Sequence, residues 1–175
     1  MKNLFGTKKV TYYGQPDEPR PDLTPQSYAE PKRVSLWPDN NAVLATLFAE
    51  TKNEPDAGVQ AAFDTIRNRS SLHSRPWVST VAAPGQYSGY GNPDYTNAMN
   101  YMAGTGKLSD DAQVELNRMR TIMDDYERPV SDNTNLYLNP VRTMDMYGKL
   151  PGWTNKLNKI KTVGKHDFYY DPYAI

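Results

Sequence analysis

The chain has 175 residues, a length that suits one ordinary domain with room for an appendage and disfavours a two-domain enzyme. Twenty Lys and Arg balance twenty Asp and Glu, for a formal net charge of zero; with no excess positive charge to release counterions from a polyanion, nucleic acid is disfavoured as the main partner. Cysteine is absent, which removes disulfide frameworks, thiolate zinc sites and cysteine nucleophiles together.

Hydrophobic residues make up 38% of the chain, and exchanging its 13 tyrosines for its 11 glycines in that count barely changes the figure. Ordinary globular chains reach about 45–50%, so part of this chain is expected to lie outside a core. The N-terminal residues lack the run of roughly 7–15 apolar residues that a signal peptide needs, and no later stretch approaches the roughly 18 of a membrane span. The expectation is a product made in the cytoplasm without an export signal and without a membrane span. Across 8–38 the prolines Pro16, Pro19, Pro21, Pro25, Pro31 and Pro38 mix with charges and few aliphatics, which leaves neither helical nor strand periodicity. Residues 1–37 are read as an extended arm that docks on another surface through Tyr12, Tyr13, Tyr28 and Trp37, because aromatic side chains give large contact area at modest entropy cost. Residues 38–175 are read as the folded domain.

Asp39, Asn40 and Asn41 offer N-caps, and Val43, Leu44, Leu47 and Phe48 follow at helical spacing with small Ala42, Ala45 and Ala49 between them, predicting a helix over 41–51. Asn53-Glu54-Pro55 breaks the chain, and Val59, Ala62, Phe63 and Ile66 recur at i, i+3, i+4 and i+7, predicting a second amphipathic helix that ends near Arg69. Residues 70–93, rich in Ser, Gly and Pro, read as a long surface loop of the kind that often carries function. Pro93 opens a third helix with Tyr95, Ala98, Met99 and Met102 on one side, closed by Gly104. Ser109 caps a fourth, whose stripe of Ala112, Leu116, Met119, Met123 and Tyr126 is read as core, with a coiled-coil seam as the alternative. Beyond Pro129 the aromatics Tyr137, Tyr147, Trp153, Phe168, Tyr169 and Tyr170 show little helical period, and loops with short strands are expected. The fold class is therefore mainly α.

One carboxylate stands out. Glu50 lies i+7 from Val43 and i+3 from Leu47, on the apolar face of the first helix. It also sits near the negative end of the helix dipole. Both effects raise its pKa, and a glutamate that holds its proton near neutrality is the general acid that glycosidic cleavage requires. The alternative is a side chain that reaches solvent at a frayed end or pairs with Lys52 or an arginine. Glu54 has a structural reading, complementing the start of the next helix. His73 and His166, the two histidines, are too far apart in sequence for a zinc motif, and no metal or cofactor is expected. Lys156, Lys159, Lys161 and Lys165 read as a solvated surface, with contact to an anionic polymer as the alternative.

Ala49-Glu50, then Asn53-Glu54-Pro55, Gly58, the alanines Ala61 and Ala62, and Asn68-Arg69 resemble the opening motif of the SleB-like cell wall hydrolases. Four later blocks follow in the same order: Gln86-Tyr87-Ser88; Asp132, Thr134 and Tyr137; Pro151 and Trp153; and Gly164-Lys165-His166-Asp167-Phe168-Tyr169. The resemblance spans about 41–170. Asn53 stands where the family has glycine, a change that Asn tolerates because it enters left-handed geometry. The stretch 134–137 lacks the family's glycine-alanine pair, and the arm belongs to no part of the pattern.

The resemblance implies a lysozyme-like helical fold and cleavage of peptidoglycan between muramic acid and glucosamine, in many members as a lytic transglycosylase. It assigns Glu50 as the catalytic acid. It also places Gln86, Tyr87, Ser88, Thr134, Tyr137, His166 and Tyr169 at the substrate: Gln86 and Ser88 as hydrogen-bonders, Tyr87 and Tyr137 as stacking faces, and His166 as a group that orients the cleft. Trp153 and Phe168 read as core. Without an export signal, such an enzyme suits carriage in a phage particle, with 1–37 docking on other virion proteins, or release as an endolysin through a membrane lesion at lysis, which leaves the arm unexplained. The alternative is a structural assembly component that keeps the fold without essential catalysis.

Overall fold

The structure is a computed structural model that describes residues 37–125, 127 and 129–172, which belong to the unit Ser35–Ile175. The arm expected over 1–37 and the core position expected for Tyr126 therefore lie outside the described residues, apart from the backbone of Trp37.

Helix α1 (Trp37–Thr51) starts a turn before the expected Asn41. Pro38 falls in its first turn, where a missing N–H costs nothing. Residues 42–49 are all buried, so α1 is the central helix. It packs on α2 (Asp56–His73), α3 (Trp77–Val81), α4 (Pro93–Met102) and α5 (Asp110–Asp124). A helix surrounded in this way must be apolar or small on every side, which accounts for the alanines between its large residues. Its buried hydroxyls are satisfied locally: Thr46 Oγ1 donates to the Ala42 carbonyl and Thr51 Oγ1 to the Leu47 carbonyl, both at 2.7 Å. Val43, Leu44, Leu47 and Phe48 meet Val59, Phe63 and Ile66 of α2 and Leu116, Met119 and Met123 of α5 in one core. Each fully buried side chain of this size contributes roughly 1.5–3 kcal/mol, and the α5 stripe is core rather than an exposed seam.

Between α1 and α2, Asn53 takes the left-handed conformation (φ 66°), as expected for an Asn in place of glycine. Helix α2 continues one turn past Arg69 and stops at Ser74, also left-handed (φ 50°). The expected loop 70–93 thus loses its first residues to α2 and is interrupted by α3, whose Trp77 packs edge-on against Phe63 with centroids 5.3 Å apart. Asn92 caps α4 by accepting from the Tyr95 N–H at 2.8 Å, Gly104 ends it with φ 72°, and the Ser109 side chain caps α5.

A three-stranded antiparallel sheet follows, in the order β1 (Leu136–Leu138), β3 (His166–Tyr170), β2 (Asn158–Val163). Tyr137 pairs with Phe168 across β1 and β3, and Val163 with His166 across the β2–β3 hairpin. Helix α2 holds the approach to β1: Asn68 Nδ2 donates to the carbonyls of Asp132 and Thr134 at 2.9 and 2.7 Å, and Arg69 donates to the Asn135 carbonyl at 3.3 Å. The region beyond Pro129 is not all loops and strands, because α6 (Pro140–Tyr147) forms there. Asn139 caps it, accepting from the Arg142 N–H at 3.0 Å, and Gly148 closes it at φ 68°. No residue of α6 is buried. A 3-10 turn (Gly152–Asn155) leads into β2. No described helix is long and apolar enough to cross a membrane.

Candidate active site

Glu50 is the penultimate residue of α1 and is half-buried. Its Oε1 accepts from Ser88 Oγ at 3.1 Å and from the backbone N–H of Gly89. Burial pushes its carboxyl above the ordinary value of 4.5, and this outweighs the hydrogen bonds from Gly89 and Ser88 and the charge of Arg142, which pull the other way. The carboxyl group opens onto a cleft of about 1070 Å³. That lies just above the roughly 300–1,000 Å³ typical of ligand clefts.

The segment that holds Glu50 is itself anchored by Tyr87. Tyr87 is buried in the main core and its ring lies 6.1 Å from that of Tyr137, which leaves Ser88 and Gly89 over the end of α1. Gln86 and Ser88 line the cleft, whereas Tyr87 points into the protein and presents no open stacking face. The second anchor is Tyr137, at the centre of β1, which lines the cleft with its ring edge-on to His166 at 5.3 Å. The hydroxyls of Tyr87 and Tyr137 are both buried without a hydrogen-bond partner among the described residues. Burial raises both phenol pKa values, and the Glu50 charge raises them further.

His166 opens β3 and is also buried in the cleft wall. Burial holds its pKa below the ordinary 6.5, against the opposing pull of Glu54. Its Nδ1 lies 3.7 Å from Glu54 Oε1, too far for a hydrogen bond. Glu54 Oε2 accepts the Lys165 N–H at 3.0 Å, so this carboxylate ties the α1–α2 junction to the β2–β3 turn. Gly58 and Gly164 make room for it: a Cβ at Gly58 would sit 3.2 Å from Glu54 Cβ, and one at Gly164 would collide with Oε2.

The structure therefore brings Glu50, Gln86, Ser88, Tyr137 and His166 to one cleft and leaves three other sequence-derived candidates, Tyr87, Thr134 and Tyr169, outside its lining. Thr134 is fully buried, and its hydroxyl donates to Asp132 at 2.6 Å. Tyr169 is buried with its ring edge-on to Trp153 at 5.1 Å. Trp153, expected in the core, is half-buried and lines the cleft. Arg142 of α6, whose charge reaches both Glu50 and His166, has no counterpart in the sequence reading. Its signal was available in the Asn139-Pro140 start and Gly148 stop of a helix. Among the described residues no group of three or more His, Asp or Glu side chains is placed to hold a metal.

The molecule is thus a mainly helical domain in which one desolvated carboxyl group at a helix end faces a long cleft walled by a small sheet. The chain is similar to two solved structures. One is the catalytic domain of the germination-specific lytic transglycosylase SleB from Bacillus anthracis, at 20% identity and a TM-score of 0.48, covering 75% of this chain and 93% of that one. The other is the catalytic domain of the Bacillus cereus SleB protein, at 22% identity and a TM-score of 0.49, covering 75% of this chain and 89% of that one. Comparison with family models and with curated proteins returned no match.

Proposed function

We propose that this chain cleaves the bond between N-acetylmuramic acid and N-acetylglucosamine in peptidoglycan, with Glu50 as the acid. The observation that carries the reading is the state of Glu50: burial raises its pKa while Ser88 and Gly89 fix one carboxyl oxygen, at the edge of a polymer-sized cleft. A proton is thereby held where the oxygen of the leaving sugar would lie. Gln86 and Ser88 supply hydrogen bonds to sugar hydroxyl and N-acetyl groups, and Tyr137 and Trp153 supply ring surface.

The finer reading is a lytic transglycosylase. Hydrolysis by the usual routes needs two carboxyl groups, one of them free to act on water or on the sugar. Glu54, the nearest carboxylate in sequence, is held by the Lys165 N–H and enclosed by Gly58 and Gly164. In a one-carboxylate mechanism Glu50 gives its proton to the glycosidic oxygen as the muramic C1–O bond breaks. The muramic C6 hydroxyl then attacks C1 and returns its proton to Glu50, and no water enters. From the sequence alone we further propose that the enzyme is carried in a phage particle and docks through residues 1–37.

Clearance of purified sacculi tests the reading. Glu50→Gln keeps the shape of the side chain but has no proton to donate, and removal of a general acid costs about 10²–10⁴-fold in rate. Most of the activity surviving in the variant would overturn the role of Glu50. Mass spectrometry of the wild-type digest is expected to show 1,6-anhydromuramic ends, lighter by one water than hydrolytic ends; reducing muramic ends alone would reject the transglycosylase.

A further inference from the structure

The cleft carries charge for which the proposed chemistry has no use. Arg142 on α6, Lys149 just beyond its end and Lys165 in the β2–β3 turn all line the cleft and are exposed. No side chain of the three is within ion-pair distance of a carboxylate among the described residues. Lysines elsewhere on the same sheet are matched: Lys159 bridges to Asp167 at 3.4 Å, and Lys161 pairs with Asp132 and lies over the Phe168 ring. Lys52, which also lines the cleft, bridges to Asp94 at 3.5 Å. The run of lysines that reads in the sequence as one solvated surface is therefore divided, with Lys165 turned toward the site.

The unmatched charges act on the cleft floor. Arg142 lowers the pKa of Glu50, and Lys165 and Arg142 both lower that of His166. Together with these cations Glu54 and Asp171 also line the cleft, but Glu54 is held by the Lys165 N–H, and the three exposed cations raise the potential at the rim. The hydroxyl and N-acetyl groups of the sugars are uncharged and cannot answer it. In peptide-bearing glycan the muramoyl lactyl group beside the bond to be cut is an amide, and the negative charge sits on the ionised carboxylates of the stem peptide that hangs from it.

We infer that Arg142, Lys149 and Lys165 form a carboxylate-binding rim for the stem peptide, so that the protein reads the peptide as well as the glycan. This inference rests on the proposed function and names the form of its substrate. Arg and Lys differ in their use here. Arg142 can grip a carboxylate with two parallel N–H donors, while the two lysines act as point charges that tolerate varied peptide positions.

The test measures binding of the Glu50→Gln protein to peptide-bearing strands and to strands stripped by an amidase and then amidated at the lactyl carboxylates this exposes, so that the stripped strand is uncharged. Both are prepared from sacculi without teichoic acid, so that no phosphate supplies the anion. Peptide-bearing strands are expected to bind about fivefold tighter at low salt, the scale of a few exposed ion pairs. The difference should close toward 1 M salt, where the Debye length falls to about 3 Å. Lys149→Gln with Lys165→Gln in the same protein is expected to cut the ratio to about twofold, the share left to Arg142, which stays in place because its charge also acts on Glu50. Equal binding of both strands at low salt, or an undiminished preference at high salt or in the double substitution, would overturn the rim. Cleavage by the wild-type protein is read separately. Preferential binding without cleavage of either strand rejects the enzyme but keeps the rim, equal cleavage of both strands rejects the rim alone, and binding to neither rejects both.

Discussion

The backbone N–H of Gly89 points at Glu50 Oε1, and the two residues are so close that a Cβ at position 89 would lie 2.9 Å from Glu50 Cγ and 2.9 Å from Ala49 Cβ. Position 89 therefore accepts glycine on steric grounds alone. The close approach lets a main-chain donor reach the carboxylate across a buried contact.

Gly89→Ala is expected to lift the 86–89 segment from the end of α1, removing the Gly89 donor and shifting Ser88 together. Overpacking of this kind costs about 1–3 kcal/mol, and a displacement of about 1 Å at a catalytic group costs on the order of 10²-fold in rate. Sacculus clearance alongside thermal melts checks both; a variant with full activity would show that the contact does not position Glu50.

Glu50 also predicts a pH-dependent stability. Its folded-state pKa is raised above the ordinary 4.5, so the folded protein holds this proton more tightly than the unfolded chain. The contribution is fully present below 4.5 and is lost as pH rises through the folded value. At neutral pH, above the ordinary 4.5, the raised pKa therefore weighs against the fold. Glu50→Gln is expected to melt at a higher temperature than the wild type at pH 7, and the gap should narrow as the pH falls toward 4.5. Melting curves across that range decide it, and a gap independent of pH would remove the buried acid from the explanation.

Gly164→Ala would place a methyl group against Glu54 Oε2 at a residue with φ 58°. The left-handed backbone costs about 1–2 kcal/mol for a non-glycine residue and the collision about 1–3 kcal/mol more. Denaturant unfolding should show a loss of about 3 kcal/mol or more, with Gly85→Ala, where φ is 72° and a Cβ meets no atom within 4 Å, losing only the backbone share. Equal losses at the two positions would mean that Glu54 yields readily and does not tie the β2–β3 turn.

Removing residues 1–34 is expected to leave the unit Ser35–Ile175 folded and active on isolated sacculi, and to abolish incorporation into the particle proposed to carry it. The copy number of the truncated form in purified virions, compared with its activity as free protein, tests the docking role. Normal incorporation would reject that role.

The helices α1, α2, α4 and α5, and the placing of Glu50 on an apolar face near a helix end, were legible in the sequence because they depend on neighbours three and four residues apart, where the 3.6-residue period writes itself into the order of apolar side chains. Helix α6 escaped that reading for the same reason. It spans eight residues and buries none, so its apolar Val141, Met144 and Tyr147 face no core, and its cap residues are its clearest signature. The expectation that Tyr87 offers an open face, and that Trp153 does not, went against the structure because an aromatic residue has the same chemistry in a core and beside a cleft. Which of the two it occupies is set by distant packing.

Tertiary structure alone decided the environment of the site. Glu54 meets the Lys165 N–H across 111 positions of chain and Ser88 meets Glu50 across 38, distances over which local periodicity carries no information. The same contacts determine how far Glu50 is desolvated, which wall His166 joins and which lysines find a carboxylate. These are properties of pairs of segments brought together by burial. The sequence determined that an acid stands at the end of the first helix; the packing of α2, the 86–89 segment and the sheet around it decided how strongly burial raises the pKa of that acid.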